Sequence, residues 1–334
     1  MSLLALPSLT RRATLQTTGA LFALSCFGSR AAETATDSLR IVCGFPAGSA
    51  TDTTSRRIAH QLDAQGYTKV ATVDNRAGAG GQIATQYVKS QPADGRTLLL
   101  TPMSMLGIYP QTYKKLPYDP VDFAPVSMAC QFDFGVAVGA SVPASVTTVP
   151  ELLRWCSADP RRGTYGSPAA GAIPHFIGML LGRAANVGLT HVAYRGTPPM
   201  VQDVVGGQIP IGIGPLGDML RYAGSPGYRV LASSGAKRSP FAPALPTLLE
   251  VGFAELGISE WSGFFAPAGT PPLVITRTQK ALALAIASTD TETAFAAAGL
   301  EAKASTPAEL AEALAKDAAR WGGIVKSFGF SMDS

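Results

Sequence analysis

The residues best suited to chemistry in this sequence are those that could hold an anion. Gly48-Ser49-Ala50, Gly80-Gly81, Ser104, Gly166-Ser167 and Gly196-Thr197 each stand where an apolar run ends and a helical pattern begins. Unpaired backbone N–H groups at a helix N-terminus, with the positive end of the helix dipole behind them, form a seat for a carboxylate or phosphate. Hydroxyls beside them add donors without formal charge. The fullest such stretch is Ile41–Asp52, I-V-C-G-F-P-A-G-S-A-T-D, in which Thr51 and Asp52 are N-cap types and Thr53–Leu62 has helical spacing. Arg195 is the guanidinium best placed among these loops. It would bind a second carboxylate bidentately or form a salt bridge within its own domain.

Catalytic patterns are scarce by comparison. The sequence holds no G-x-S-x-G elbow, no H-E-x-x-H and no P-loop. His60, His175 and His191 are far apart, and no Cys/His cluster implies a metal or other cofactor. Gly212-Ile213-Gly214-Pro215-Leu216-Gly217 spells G-x-G-x-x-G after a strand. Pro215 removes an amide donor, however, and Ser233-Ser234 stand where a ribose-binding acid belongs. Ser167 with His175 admits a secreted hydrolase as an alternative, without a third member to orient the base.

The elements that must position these loops follow a strand–loop–helix rhythm. Strands are expected at 39–43, 69–73 and 97–100, with helices at 53–62 and 82–90 between them. A long apolar segment, Ala124–Gly139, reads as a strand passing from one domain into another. Further strands follow at 164–168, running into a turn, and at 191–194, 209–213 and 228–232. Helices alternate with them at 149–157, 173–185, 200–205 and 216–222. Lys237–Pro246 reads as the return crossing, and 261–266 as an apolar strand. Helices at 273–287, 291–298 and 307–328 close the chain, the last with a Thr306/Glu309 capping box. Such alternation predicts an α/β fold with ligands bound outside the carboxyl ends of parallel strands. One unit inserted into the other would leave a cleft between them.

The 334 residues are 46% hydrophobic and 15% charged, which suits one large or two medium globular domains. The formal charge is +4, but Arg11, Arg12 and Arg30 lie ahead of residue 32. Without them 24 basic side chains face 23 acidic ones, so a nucleic-acid partner is not expected. Residues 1–31 read as an export signal: Arg11-Arg12, an apolar run Thr18–Phe27, then Ser29-Arg30-Ala31 as a cleavage pattern. Thr10–Gln16 fits either a twin-arginine or a general secretory signal, and Cys26 is a possible lipid acceptor. No later run is long and apolar enough to span a membrane. The exported part keeps Cys43, Cys130 and Cys156, an odd set in which a Cys130–Cys156 disulfide is permitted but not required.

Taken together, the loops resemble a known family. Ile41–Asp52 is similar to the "FPPGG..D" loop of the tripartite tricarboxylate transporter receptors, the Bug family of periplasmic solute-binding proteins. Asn75–Gly81 resembles its "NRPGAGG" turn, and Val192–Pro199 through Gln208 its "VPYKG..PA..DLLGGQ" segment. Trp261–Pro272 resembles "W.GLLAPAGTP". Asp94–Leu100, Tyr118–Val126 and Tyr165-Gly166-Ser167 with His175 are also similar, all in family order.

The resemblance implies a type II periplasmic-binding-protein fold, with two α/β lobes, a hinge and an interdomain ligand cleft. Lobe 1 would be 32–133 with 241–334, and lobe 2 would be 134–240. It implies a periplasmic, non-enzymatic monomer without cofactor that captures a small carboxylate for membrane transporter subunits. A sensor kinase is an alternative recipient. Phe45, Ala47, Gly48 and Asp52 would belong to a first cradle, Gly166, Ser167 and His175 to a second, and Tyr194, Arg195 and Gly196 to a third. Ser49 and Ser104 join them as loop hydroxyls. Ala47 stands where the family usually has proline, and Ser49 where it has glycine. Pro168-Ala169-Ala170 also departs from the glycine-rich second cradle.

Overall fold

The computed structural model describes residues 37–332; the expected export signal and Cys26 lie outside the described residues. The chain opens with β1 (Leu39–Cys43), α1 (Ala50–Ala64), β2 (Ala71–Asn75), α2 (Gln82–Lys89) and β3 (Thr97–Pro102). β1 pairs in parallel with β2 on one side and β3 on the other. β3 is buried along its whole length, as its unbroken T-L-L-L-T-P run requires of a strand covered on both faces. The short helices α3 (Met103–Gly107) and α4 (Tyr109–Thr112) follow directly.

β4 (Phe123–Val138) then runs for 16 residues. Phe123 to Asp133 pair with a late strand, and Phe134 to Val138 pair with strands of the chain's second half. β4 is therefore one continuous strand that changes partners between Asp133 and Phe134. The second half is α5 (Val149–Ser157), β5 (Thr164–Ser167), α6 (Ile173–Ala185), β6 (Thr190–Ala193), α7 (Thr197–Val205), β7 (Ile211–Pro215), α8 (Leu216–Leu220) and β8 (Arg229–Ser233). The return is made by β9 (Ser259–Pro267). α9 (Pro272–Ile286), α10 (Thr289–Ala297), β10 (Glu301–Ala302) and α11 (Pro307–Ser327) follow it. The described strands form one curled mixed sheet in the order β2-β1-β3-β9-β4-β7-β5-β6, with β8 and β10 also on β4.

The sequence placed the return at Lys237–Pro246, but the structure puts it at β9. Residues 246–248 still belong to the second half: Ser233 N–H donates to Pro246 O at 2.9 Å, and Leu248 N–H to Ser233 O at 2.7 Å. Ser234 ties the two crossing segments together. Its Oγ accepts from Phe134 N–H at 2.9 Å and donates to Ile258 O at 2.5 Å. Ser259 Oγ donates to Asp133 Oδ1 at 2.6 Å beside it.

α1 begins earlier than its spacing suggested. Its N-cap is Ser49, whose Oγ accepts from Asp52 N–H, so Thr51 and Asp52 lie in the first turn. α11 carries the expected capping box between Thr306 and Glu309. The glycines of the G-x-G-x-x-G run serve packing. A Cβ at Gly217 would lie 1.8 Å from Ala298 O, so this turn must be bare to meet the chain behind it. Cys43, Cys130 and Cys156 are separate buried thiols, and burial pushes each up to about 11. No helix among the described residues is long and apolar enough to cross a membrane.

Candidate functional site

The two halves of the sheet meet over a narrow cavity of about 40 Å³. From the first half come Phe45, Ser49 and Ala50 at the start of α1, Ser104 and Met105 on α3, and Glu260 on β9. The second half supplies Pro168, Ala169 and Ala172 ahead of α6, Thr197 on α7 and Asp218 on α8. Phe132 and Phe134 line it from β4, their rings 5.7 Å apart and edge to face.

On the first side, the loop before α1 is braced from behind by Asp52, which is only 3% exposed. Its carboxylate accepts from Gly48 N–H at 2.9 Å, Asn75 Nδ2 at 2.8 Å and Arg56 Nε at 3.1 Å. Burial alone would raise this acid. The Arg56 hydrogen bond, with Gly48 N–H and Asn75, outweighs burial and holds it below the usual carboxylate range. Asn75 also donates to Phe45 O at 3.1 Å, so the end of β2 fixes the same loop. Asp52 thus has its oxygens engaged within the lobe. Ala47 and Gly48 lie exposed at the rim, while Phe45, Ser49 and Ala50 reach the cavity.

Across the cavity, Asp218 points its carboxylate at that helix start. Ala50 N–H donates to Asp218 Oδ2 at 3.2 Å. Arg221 donates to the other oxygen and also to Gly48 O at 2.6 Å, crossing between the lobes. Burial raises the Asp218 carboxyl, with Arg221 acting against it. Gly196 closes the same edge. Its φ is +114°, and a Cβ there would lie 2.6 Å from Pro46 Cδ, so only glycine permits this approach. At the inner end Glu260 Oε1 accepts from Ser104 N–H at 2.8 Å and Ser104 Oγ at 2.5 Å. Burial pushes Glu260 up to about 7.

The second expected cradle is arranged differently. Ser167 is fully buried and does not line the cavity; its Oγ donates to Ala169 O at 3.2 Å and lies 2.7 Å from His191 Nε2. His175 Nδ1 accepts from Gly171 N–H at 3.0 Å, and its ring stacks on His191 at 3.7 Å. Burial holds His175 down to about 4. Burial and the neighbouring His175 hold His191 down to about 3. The partner of Ser167 is therefore His191 rather than His175, and the serine proton is directed at a carbonyl. Gly166 is buried, where a Cβ would strike Ile209, Tyr194 and Met200.

Tyr194 OH donates to Asp203 Oδ2 at 2.7 Å, within its own lobe. Arg195 is exposed and has no ion pair among the described residues. The guanidinium that reaches across the cleft is Arg221. Asp218 and Glu260 were not found by sequence reasoning. The available signals were an acid two residues into an apolar strand, S-E-W-S-G-F-F, and an acid in the first turn after β7.

A curled sheet shared by two lobes, with a strand-end cavity between them, defines the two-lobed periplasmic-binding-protein class. Among such proteins, the periplasmic binding protein BugD superposes with a TM-score of 0.82 at 25% identity, covering 89% of this chain and 99% of that one. R. palustris Rpa4515, solved with adipate, superposes at 0.84 with 29% identity, covering 89% and 99%. The sequence itself matches the profile of the tripartite tricarboxylate transporter family receptor over residues 55–330, and the chain belongs to that family. Protein BugT of Bordetella pertussis is 31% identical over 294 residues, 87% of this chain and 89% of the relative.

Proposed function

We propose that this protein is a periplasmic receptor that closes on a small organic carboxylate and delivers it to a membrane transporter of the tripartite tricarboxylate type. One chain holds one ligand and performs no chemistry on it. The observation that carries this reading is the Ala50 N–H···Asp218 contact at 3.2 Å. A carboxylate brought by one lobe already meets the helix N-terminus of the other, inside the cavity. A ligand carboxylate would use the same donor, assisted by Ser49 and the α1 dipole. The adipate held by Rpa4515 supports that ligand class. Phe45, Ser49 and Ser104 are the expected site residues that would touch the ligand. Ala47, Gly48, Asp52 and Gly196 would shape its loop and the closing edge.

Closure follows from the same contacts. Gly196 on Pro46, and Arg221 on Gly48 O, are made between lobes and exist only when the lobes are together. A ligand that adds contacts to both sides stabilises that state by the difference in its affinity for the two. We take the hinge to be the Asp133–Phe134 and Ser234–Ser259 crossings. Export by the 1–31 signal would place the receptor in the periplasm.

The test is thermal denaturation of the purified receptor against a panel of mono-, di- and tricarboxylates. A true ligand at about 100 times its Kd adds roughly 2.7 kcal/mol to the folded state. A panel in which no acid raises the Tm would defeat the reading.

A further inference from the structure

The lining of the cavity is acidic, which disfavours a ligand carrying negative charge alone. Asp218 and Glu260 are each 3% exposed, both line the cavity, and among the described residues no Lys, Arg or His lines it with them. Arg221 bonds Asp218 from the rim, its side chain 43% exposed and shared with Gly48 O. Both hydrogen bonds made by Glu260 end on Oε1, from Ser104 N–H and Oγ. Oε2 has no partner among the described residues. That oxygen is not sealed away but stands open to the cavity, where an arriving donor can reach it. A dicarboxylate would bring two further negative charges against these acids.

Resting on the receptor reading above, we propose that the ligand carries a protonated nitrogen besides its carboxylate, and that Glu260 Oε2 and Asp218 Oδ2 receive it. The exchange of partners is simple. The ligand carboxylate takes the Ala50 N–H that Asp218 now holds at 3.2 Å, which frees Oδ2 for the ligand's ammonium. Glu260 offers its spare oxygen from the inner end. The rings of Phe45, Phe132 and Phe134 line the same space and suit a cation through their negative faces. Arg221 then offsets Asp218, the ligand's ammonium offsets Glu260, and the ligand carboxylate meets the α1 N-terminus.

The experiment pairs acids that differ only by the amino group: succinate with aspartate, propionate with β-alanine, butyrate with 4-aminobutyrate. Binding to the intact receptor is measured by thermal shift and calorimetric titration. In at least one pair the amino member is expected to bind at least tenfold more tightly than its nitrogen-free partner. Glu260→Gln and Asp218→Asn are each expected to reduce that preference at least tenfold. Nitrogen-free acids binding as tightly as their amino partners would overturn the inference while leaving a carboxylate receptor intact. The same holds if both variants keep the wild-type preference. Binding by neither class would remove the receptor reading and the inference with it.

Discussion

The two sides of the cleft start from the same local plan, a strand ending in a small-residue loop that opens a helix, and put it to different uses. Before α1, the loop's polar needs are met from behind: Asp52 takes Gly48 N–H, and Asn75 holds Phe45 O. The N-terminal amides, such as Ala50 N–H, are thereby left facing the cavity. Before α6, the loop satisfies itself. Ser167 bonds Ala169 O, Gly171 N–H bonds His175, and the surface presented is Pro168, Ala169 and Ala172. A strand–loop–helix turn thus becomes a donor site or an apolar wall according to where its own side chains spend their hydrogen bonds.

The largest expected effect tests the self-contained side. His175 and His191 are held neutral, well below the ordinary 6.5, so the unfolded chain binds their protons first as the pH falls. Stability is then fully present above pH 6.5 and is lost on acidification toward about pH 4, by up to about 1.4 kcal/mol per pH unit per histidine. Urea midpoints measured from pH 7 to pH 4 should drop accordingly, and His191→Gln should flatten the slope. An unchanged slope in that variant would mean that the pair does not lock the loop.

Next comes the brace on the other side. Asp52→Ala removes an acceptor from Gly48, Asn75 and Arg56 together. Part of the loss is recovered because the Arg56 side chain is 56% exposed and rehydrates. The expected cost is about 2 kcal/mol in chemical denaturation, accompanied by weaker ligand binding as the loop loosens. Loss of stability with ligand affinity intact would show that the donor side does not depend on its brace. The smallest effect is Ser49→Ala. Losing the N-cap should cost about 1 kcal/mol, read as a shift in the denaturation midpoint. A cost well below that would hand the capping role to neighbouring groups and blur the contrast between the two loops.

Much of this architecture was legible in the sequence because it is local. Alternating strand and helix signals located the sheet, and the 124–139 run announced a strand long enough to serve both lobes. Of the family-like loops, those at 45–50 and 196–197 reach the cavity, while Gly166, Ser167 and His175 do not line it. What escaped was set by tertiary contact. Asp52 has an N-cap's chemistry, but Ser49 lies at the turn and took that role. Arg195 sits in a favourable loop, yet the sheet's curl brings Arg221 across instead. Asp218 and Glu260 are 42 positions apart in the numbering, on opposite sides of the cavity, and neither has a charged residue next to it in the chain. Their common destination depends on the order of strands rather than on any spacing.

β4 gives the protein a thermodynamic property that two lobes would not otherwise share. A single strand of 16 residues is a member of both halves of the sheet, and Ser234 stitches it to the returning segment at the handover. Neither half can melt without stripping a neighbour from the other. The two halves are therefore obliged to unfold as one, so a single calorimetric transition is the expected counterpart of the shared strand.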